Sequence, residues 1–290
     1  MKDIACLPLA GKQKIYSLNE AAEVQSKLLK HLLRRAKFTA FGEHYRFSEL
    51  LNSKKHEEDF KKTVPVHAYR DMYIRWWYRL LNGETYVTWP GKQKYFLTKG
   101  NDNQLTGKYI PVSRAIIRSY CIAGKHYLSS LPYKPSEEYD KDLLKLSYNK
   151  TWFGGTLAGI IAHHKPLKFH CCFRDLFCSN SIKKDSGYFL TEAGWVGFGI
   201  EKEQHEFRLI INNGLYYEFI PFDKESFDNK TVLGKPEAAL SIEEIMEEEK
   251  YLLLITNNAG AWRYLTGYVV EFTDKEHLRF RVTDKVKLES

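Results

Sequence analysis

The sequence lacks most features that mark secreted, membrane-spanning and disulfide-stapled proteins. Its 290 residues include 5 cysteines, an odd number without regular spacing, which argues against a disulfide framework and for a reducing compartment. No apolar stretch approaches the length of a membrane span. Met1 to Ala10 carries only Lys2 ahead of a short mixed segment, so a cleaved signal peptide is not expected, and a cytoplasmic location is. Internal repeats and low-complexity segments are absent. So is a Gly-x-Ser-x-Gly elbow, which removes support for a serine hydrolase. Gly194, Gly197 and Gly199 do not have the spacing of a dinucleotide fingerprint. His163, His164, His170, Cys171, Cys172 and Cys178 are adjacent or irregularly placed, not arranged as paired chelating units, so no zinc site is expected.

What is present describes a globular protein. Hydrophobic residues make up 43% of the chain and aromatics 14%, which excludes a disordered one. The formal net charge of +8, with a pI near 9.0, is mildly basic. Lys and Arg dominate residues 27 to 125, whereas Glu243 to Glu249 form an acidic block. A basic balance suits anionic small molecules. No nucleic-acid module is recognisable, so a solvated basic face is the reading and no nucleic-acid partner is expected.

The helical signals come first. Ser17 and Glu20 form a capping-box pair ahead of Val24, Leu28, Leu29, Leu32 and Leu33 at helical spacing. Gly42 reads as a stop and Thr39 to Phe47 as a tight connection. A second amphipathic segment around Glu57 to Lys62 ends before Pro65. A third helix, from about Ala68 to Asn82, buries Met72, Trp76 and Leu80 and stops at Gly83, with Trp76-Trp77-Tyr78 serving core and rim packing. Lys94 to Thr98 reads as a short strand, Lys99 to Gly107 as a polar loop, and Ser113 as the cap of a helix through Tyr120. Ser129 to Asp142 reads as surface. Strands are expected at Phe207 to Ile211, Leu215 to Ile220, Tyr251 to Thr256, Val269 to Thr273 and Leu278 to Val282. Ser241 with Glu244 predicts a short acidic helix. Helices first and largely antiparallel strands later give an α/β, mixed α+β fold with one main core.

Six segments then fall in a familiar order: Thr39-Ala40-Phe41-Gly42 with Tyr45 and Phe47, Val64-Pro65-Val66 with Tyr69, Asn82-Gly83-Glu84 before Trp89-Pro90-Gly91, Lys108 to Ser113, Tyr217 to Pro221, and Trp262 to Gly267. On these the chain resembles the auxin-responsive Gretchen Hagen family of acyl-acid amido synthetases, within the adenylate-forming superfamily. The likeness runs from about Glu20 to His126 and from about Gly187 to Lys287. It implies a partial adenylate-forming N-terminal domain, with N-terminal helices and a mixed sheet. Such enzymes join a carboxylic acid to ATP with magnesium, then pass the acyl group to an amino acid. The implied cofactors are ATP and Mg2+, and the implied partners a small carboxylic acid and an amino acid, with a protein partner as a further option and no membrane.

The resemblance also assigns residues. Tyr188-Phe189-Leu190-Thr191-Glu192 matches an aromatic-x-x-Ser/Thr-Glu pattern in which Glu192 would position magnesium and Thr191 would lie near the phosphates. Lys99, Gly100 and Lys108 flank the stretch corresponding to the phosphate loop, but this stretch has few hydroxyls, and Asp102 would repel a triphosphate. Arg263 and Tyr268 belong to the nucleotide loop. There the family places an Asp that binds both ribose hydroxyls, whereas Tyr268 offers one phenolic oxygen. Residues 127–186 are expected to be a shortened, divergent segment, and the C-terminal lid domain is expected to be absent, leaving one truncated domain over 1–290. The expectation is a degenerate relative whose catalysis is residual or lost, the alternative being a non-catalytic binding or regulatory pseudoenzyme.

Overall fold

The computed structural model describes residues 16–99, 108–120, 123, 146–148, 153–155, 188–199, 206–225, 227 and 238–288. The first helix, α1 (Leu18–Ala36), begins as the sequence predicts. Ser17 Oγ accepts from the Glu20 backbone at 3.4 Å, and the Glu20 carboxylate accepts from the Ser17 backbone at 3.1 Å. Leu29, Leu32 and Leu33 are fully buried, and Arg34 and Arg35 sit in the last turn, where the helix dipole favours cations.

The next segment departs from expectation. Thr39 to Phe47 is not a bare connection: it holds α2 (Ala40–His44) and the start of α3 (Phe47–Asn52). Thr39 Oγ1 caps α2 by accepting from the Gly42 backbone at 3.0 Å. Gly42 does not stop a helix. A Cβ there would lie 2.2 Å from the Ala36 carbonyl oxygen, so glycine permits α2 to pack on the end of α1.

Helix α4 (His56–Thr63) ends before Pro65 as expected. The third predicted helix is interrupted. It runs as α5 (Tyr69–Met72), a π turn at Tyr73–Trp77 and α6 (Tyr78–Leu81), and closes at Gly83 with φ of 86°. Trp76 and Trp77 are buried while Tyr78 is exposed, in line with core and rim packing.

Among the described residues the strands form two sheets. A mixed four-stranded sheet comprises β1 (Tyr95–Lys99), β2 (Lys108–Val112), β3 (Leu146–Tyr148) and β4 (Phe153–Gly155), in the order β2-β1-β4-β3 with β1 and β4 parallel. The second contains β5 (Tyr188–Thr191), β6 (Gly194–Gly199), β7 (Glu206–Leu209), β8 (Leu215–Pro221), β9 (Lys250–Asn257), β10 (Tyr264–Asp274) and β11 (Arg279–Lys285). Its order is β5-β6-β7-β11-β10-β9-β8, antiparallel throughout. All five C-terminal strands expected from the sequence are present. The mixed α+β reading holds.

Gln25, on the apolar face of α1, is buried and serves edge strand β8. Its amide donates to the Leu215 carbonyl at 3.0 Å and accepts from the Tyr217 backbone at 2.9 Å. These bonds satisfy backbone groups on the side of β8 that faces no neighbouring strand. Ser241 donates from its backbone and its hydroxyl to the Glu244 carboxylate, at 2.6 and 2.5 Å, but its hydroxyl does not cap the Glu244 backbone, and residues 242–248 make turns, not the predicted helix. The glutamates at 243, 244, 247, 248 and 249 would repel one another along so short a helix.

Trp262 lies in the middle of the core, stacked on Phe41 with ring centroids 5.6 Å apart and edge-on to Phe47 at 4.7 Å. Its indole N–H donates to the Thr88 carbonyl at 3.0 Å. The helices are thereby tied to the loop between β9 and β10.

Candidate functional site

Four segments converge beside this loop. Lys108 is the first residue of β2, Glu192 lies in the turn between β5 and β6, Tyr264 opens β10, and Tyr69 opens α5. The tight turn at Glu192 is made by its neighbours. Thr191 Oγ1 accepts from the Ala193 backbone and donates to the Gly194 carbonyl, each at 3.2 Å. Asn257 reaches across from β9 and donates to the Ala193 carbonyl at 2.7 Å. Its Oδ1 also accepts from the Ala259 and Ala261 backbones, at 2.9 and 3.0 Å. A single buried amide therefore couples the Glu192 turn to the Trp262 loop.

Glu192 faces inward, with its side chain 6% exposed. Lys108 Nζ lies 3.1 Å from Oε1, and the Tyr264 hydroxyl donates to the same oxygen at 2.7 Å. The Lys108 ammonium also sits 5.2 Å from the centre of the Tyr69 ring, whose hydroxyl accepts from the Tyr109 backbone at 2.8 Å. Burial, opposed by the Tyr109 hydrogen bond and reinforced by neighbouring groups including Glu192, pushes the Tyr69 phenol up to about 12. Tyr264 is raised well above the ordinary range by burial first, then by the Glu192 charge and their hydrogen bond. Both phenols stay protonated at neutral pH, so Tyr264 is a permanent donor to the carboxylate.

The structure brings some predicted site residues together and separates others. Lys108, Thr191 and Glu192 share this cluster, with Thr191 holding the turn. The backbone of Lys99 pairs with that of Lys108 in the β1–β2 ladder. The Lys99 side chain, Gly100 and the polar loop through Gly107 lie outside the described residues, as do Ser129 to Asp142 and the His163-to-Cys178 group.

Arg263 is held by the core on several sides. Its guanidinium is fully buried and engaged by protein groups. Nε donates to Glu218 at 3.1 Å, and Nη1 to the Lys61 and Val64 carbonyls at 2.8 and 2.7 Å. Nη2 lies 3.0 Å from Glu218 Oε1, an ion-pair contact in which that oxygen makes no hydrogen bond. The residue takes φ of 43°, a left-handed conformation that turns the loop into β10.

Tyr268 is also occupied. Its hydroxyl lies 3.0 Å from Lys285 Nζ, the same ammonium is 4.2 Å from its ring centre, and Phe189 packs edge-on at 5.0 Å. Tyr268 and Lys285 are register partners across β10 and β11. Sequence reading missed Asn257, Tyr264 as a partner of Glu192, and Lys285. The run Asn257-Asn258, placed where a strand leaves the sheet, was the available signal for the first.

Among the residues of this cluster the one carboxylate is Glu192, beside Lys108. Magnesium is held by oxygen ligands in near-octahedral geometry. Among the described residues no group of three or more His, Cys, Asp or Glu could hold a metal ion. Glu192 is paired with the Lys108 ammonium, and the Tyr268 hydroxyl is bonded to Lys285. No helix of the described residues is long and apolar enough to cross a membrane.

Comparison with known proteins adds the lineage. The GH3 family N-terminal domain matches residues 12–164, and the GH3 family central domain matches residues 208–285. A search of curated proteins finds no match. Among solved structures, the GH3.15 acyl acid amido synthetase is similar over 92% of this chain and 69% of its own, with 12% identity and a TM-score of 0.64. The AtGH3.15 acyl acid amido synthetase in complex with 2,4-DB is similar over 96% of this chain and 72% of its own, with 11% identity and a TM-score of 0.65. At that identity the structures speak for the fold, while the sequence models cover most of the chain. The chain belongs to the GH3 family.

Proposed function

We propose that this chain is a non-catalytic GH3 protein, a scaffold that binds a small carboxylic acid without activating it. The observation that carries the reading is the state of Glu192. In the family pattern this carboxylate would face a metal; here one of its oxygens takes both the Lys108 ammonium and the Tyr264 phenol. To admit a divalent cation, Lys108 must leave, and the buried carboxylate must exchange a bonded partner for a hydrated ion. Tyr268 supports the same reading, since it offers one oxygen where two ribose hydroxyls would need a carboxylate. The ligand class rests on family membership and on the solved relative in complex with 2,4-DB.

Pyrophosphate–ATP exchange measured with a panel of carboxylic acids, 2,4-DB included, tests the proposal. The expected result is no exchange above background, together with a rise in thermal stability on adding at least one acid of the panel. Exchange that Glu192→Ala abolishes would overturn it in favour of a residual ATP-dependent acid–amino acid ligase.

A further inference from the structure

The end of β2 away from Lys108 opens into a cleft that the Glu192 cluster does not use. The cleft has a volume of about 610 Å³ and lies between the last turn of α1, the turn leading into β1, and residues 112–118. Its lining includes Arg35, Lys92, Lys94, Arg114 and Arg118, and no acidic residue. None of these five cations makes an ion pair among the described residues. Arg114 and Arg118 stand one helical turn apart and therefore present their guanidinium groups on one face. Like charges gathered in a concave surface raise the local potential and favour an anion there.

A second observation points into the same space. Gln93 lines the cleft and is only 3% exposed, yet its side-chain amide has no hydrogen-bond partner among the described residues. Its amide atoms are not among the buried side-chain atoms left without a partner, so they stay open to the cleft. A ligand oxygen entering the cleft can replace water on that amide.

We propose that this cleft binds a small, multiply phosphorylated anion, with Arg35, Lys92, Lys94, Arg114 and Arg118 holding the phosphates and Gln93 accepting or donating at a ligand oxygen. The volume suits a small molecule, since ligand pockets run from about 300 to 1,000 Å³. Arginine supplies planar forks that match phosphate oxygens in pairs. The site lies roughly 13 Å along β2 from Lys108, at about 3.3 Å per residue, so it is separate from the Glu192 cluster.

Isothermal titration of the purified chain with inositol hexakisphosphate and with tripolyphosphate, at about 0.15 M salt, tests the proposal. Micromolar binding of at least one is expected, weakened by about tenfold or more in Arg114→Glu/Arg118→Glu, where the charge of two phosphate ligands is reversed. Lys92→Glu/Lys94→Glu provides the same test on a separate segment. Gln93→Leu should weaken binding while leaving thermal stability unchanged or raised; a purely structural glutamine would lower stability instead. Absence of binding to both compounds, or binding that neither double variant weakens, overturns the assignment. Tighter binding of short single-stranded RNA or of phosphatidylserine vesicles through the same arginines would also overturn it, in favour of a macromolecular surface.

Discussion

Replacing Arg263 should reveal what this residue does. Arg263→Met keeps much of the volume and removes the charge. Glu218, 1% exposed, would then be a buried carboxylate without its cation. Breaking a buried pair from one side typically costs about 3–5 kcal/mol, because the remaining charge stays desolvated. The Lys61 and Val64 carbonyls also lose their donor, a further penalty of up to about 1–3 kcal/mol that overlaps with the first. A net loss near 4 kcal/mol is expected, corresponding to a fall in Tm of roughly 8 °C at about 2 °C per kcal/mol for a chain of this size. Glu218→Leu combined with Arg263→Met should recover at least half of that loss, since both charges leave together. Urea and thermal denaturation followed by circular dichroism give the values. Two results would refute the reasoning: a single variant within about 1 kcal/mol of the parent, or a double variant no more stable than Arg263→Met. Either would mean that the Arg263–Glu218 pair is not what holds this part of the core together.

Two further outcomes concern stability. His67 is buried, with Nδ1 3.1 Å from the Trp262 carbonyl and Nε2 3.4 Å from the Tyr45 hydroxyl, and burial lowers it from 6.5 to about 4. The unfolded chain therefore binds a proton that the folded chain refuses. Stability should be lost as pH falls from about 6.5 to 4, by up to about 3 kcal/mol, and denaturation midpoints for His67→Gln should show a flatter slope across that window. Identical slopes would refute the assignment. Gly260 has φ of 88°, and a Cβ there would meet Thr88 Oγ1 at 2.3 Å, so Gly260→Ala should cost at least about 2 kcal/mol, combining the backbone and steric penalties. An unchanged urea midpoint would show that the loop yields at little cost.

Much of the fold could be read before the structure. The Ser17–Glu20 box, the apolar spacing of α1 and the alternation of the C-terminal strands are local patterns, set by neighbours three or four residues apart or by a period of two. The misreadings share a cause as well. Gly42 looked like a stop because glycine commonly ends helices, but its role is to let Ala36 approach, a contact between two helices. Only the carboxylate half of the Ser241–Glu244 box forms, and the closely spaced glutamates that follow repel one another in a helix. Trp76 and Trp77 were correctly assigned to packing, whereas the π turn that carries them left no mark in the apolar spacing.

The sequence by itself determined the family and the order of elements, because six short motifs keep their succession whatever the side chains later contact. Tertiary structure decided what the remaining site residues do. Lys108 meets Glu192 across 84 positions, Arg263 meets Glu218 across 45, and Tyr268 meets Lys285 across 17. Charge pairing at such separations depends on which strands and turns are brought side by side and how deeply they are buried. The packing of β2 against the β5–β6 turn is what brings Lys108 to Glu192.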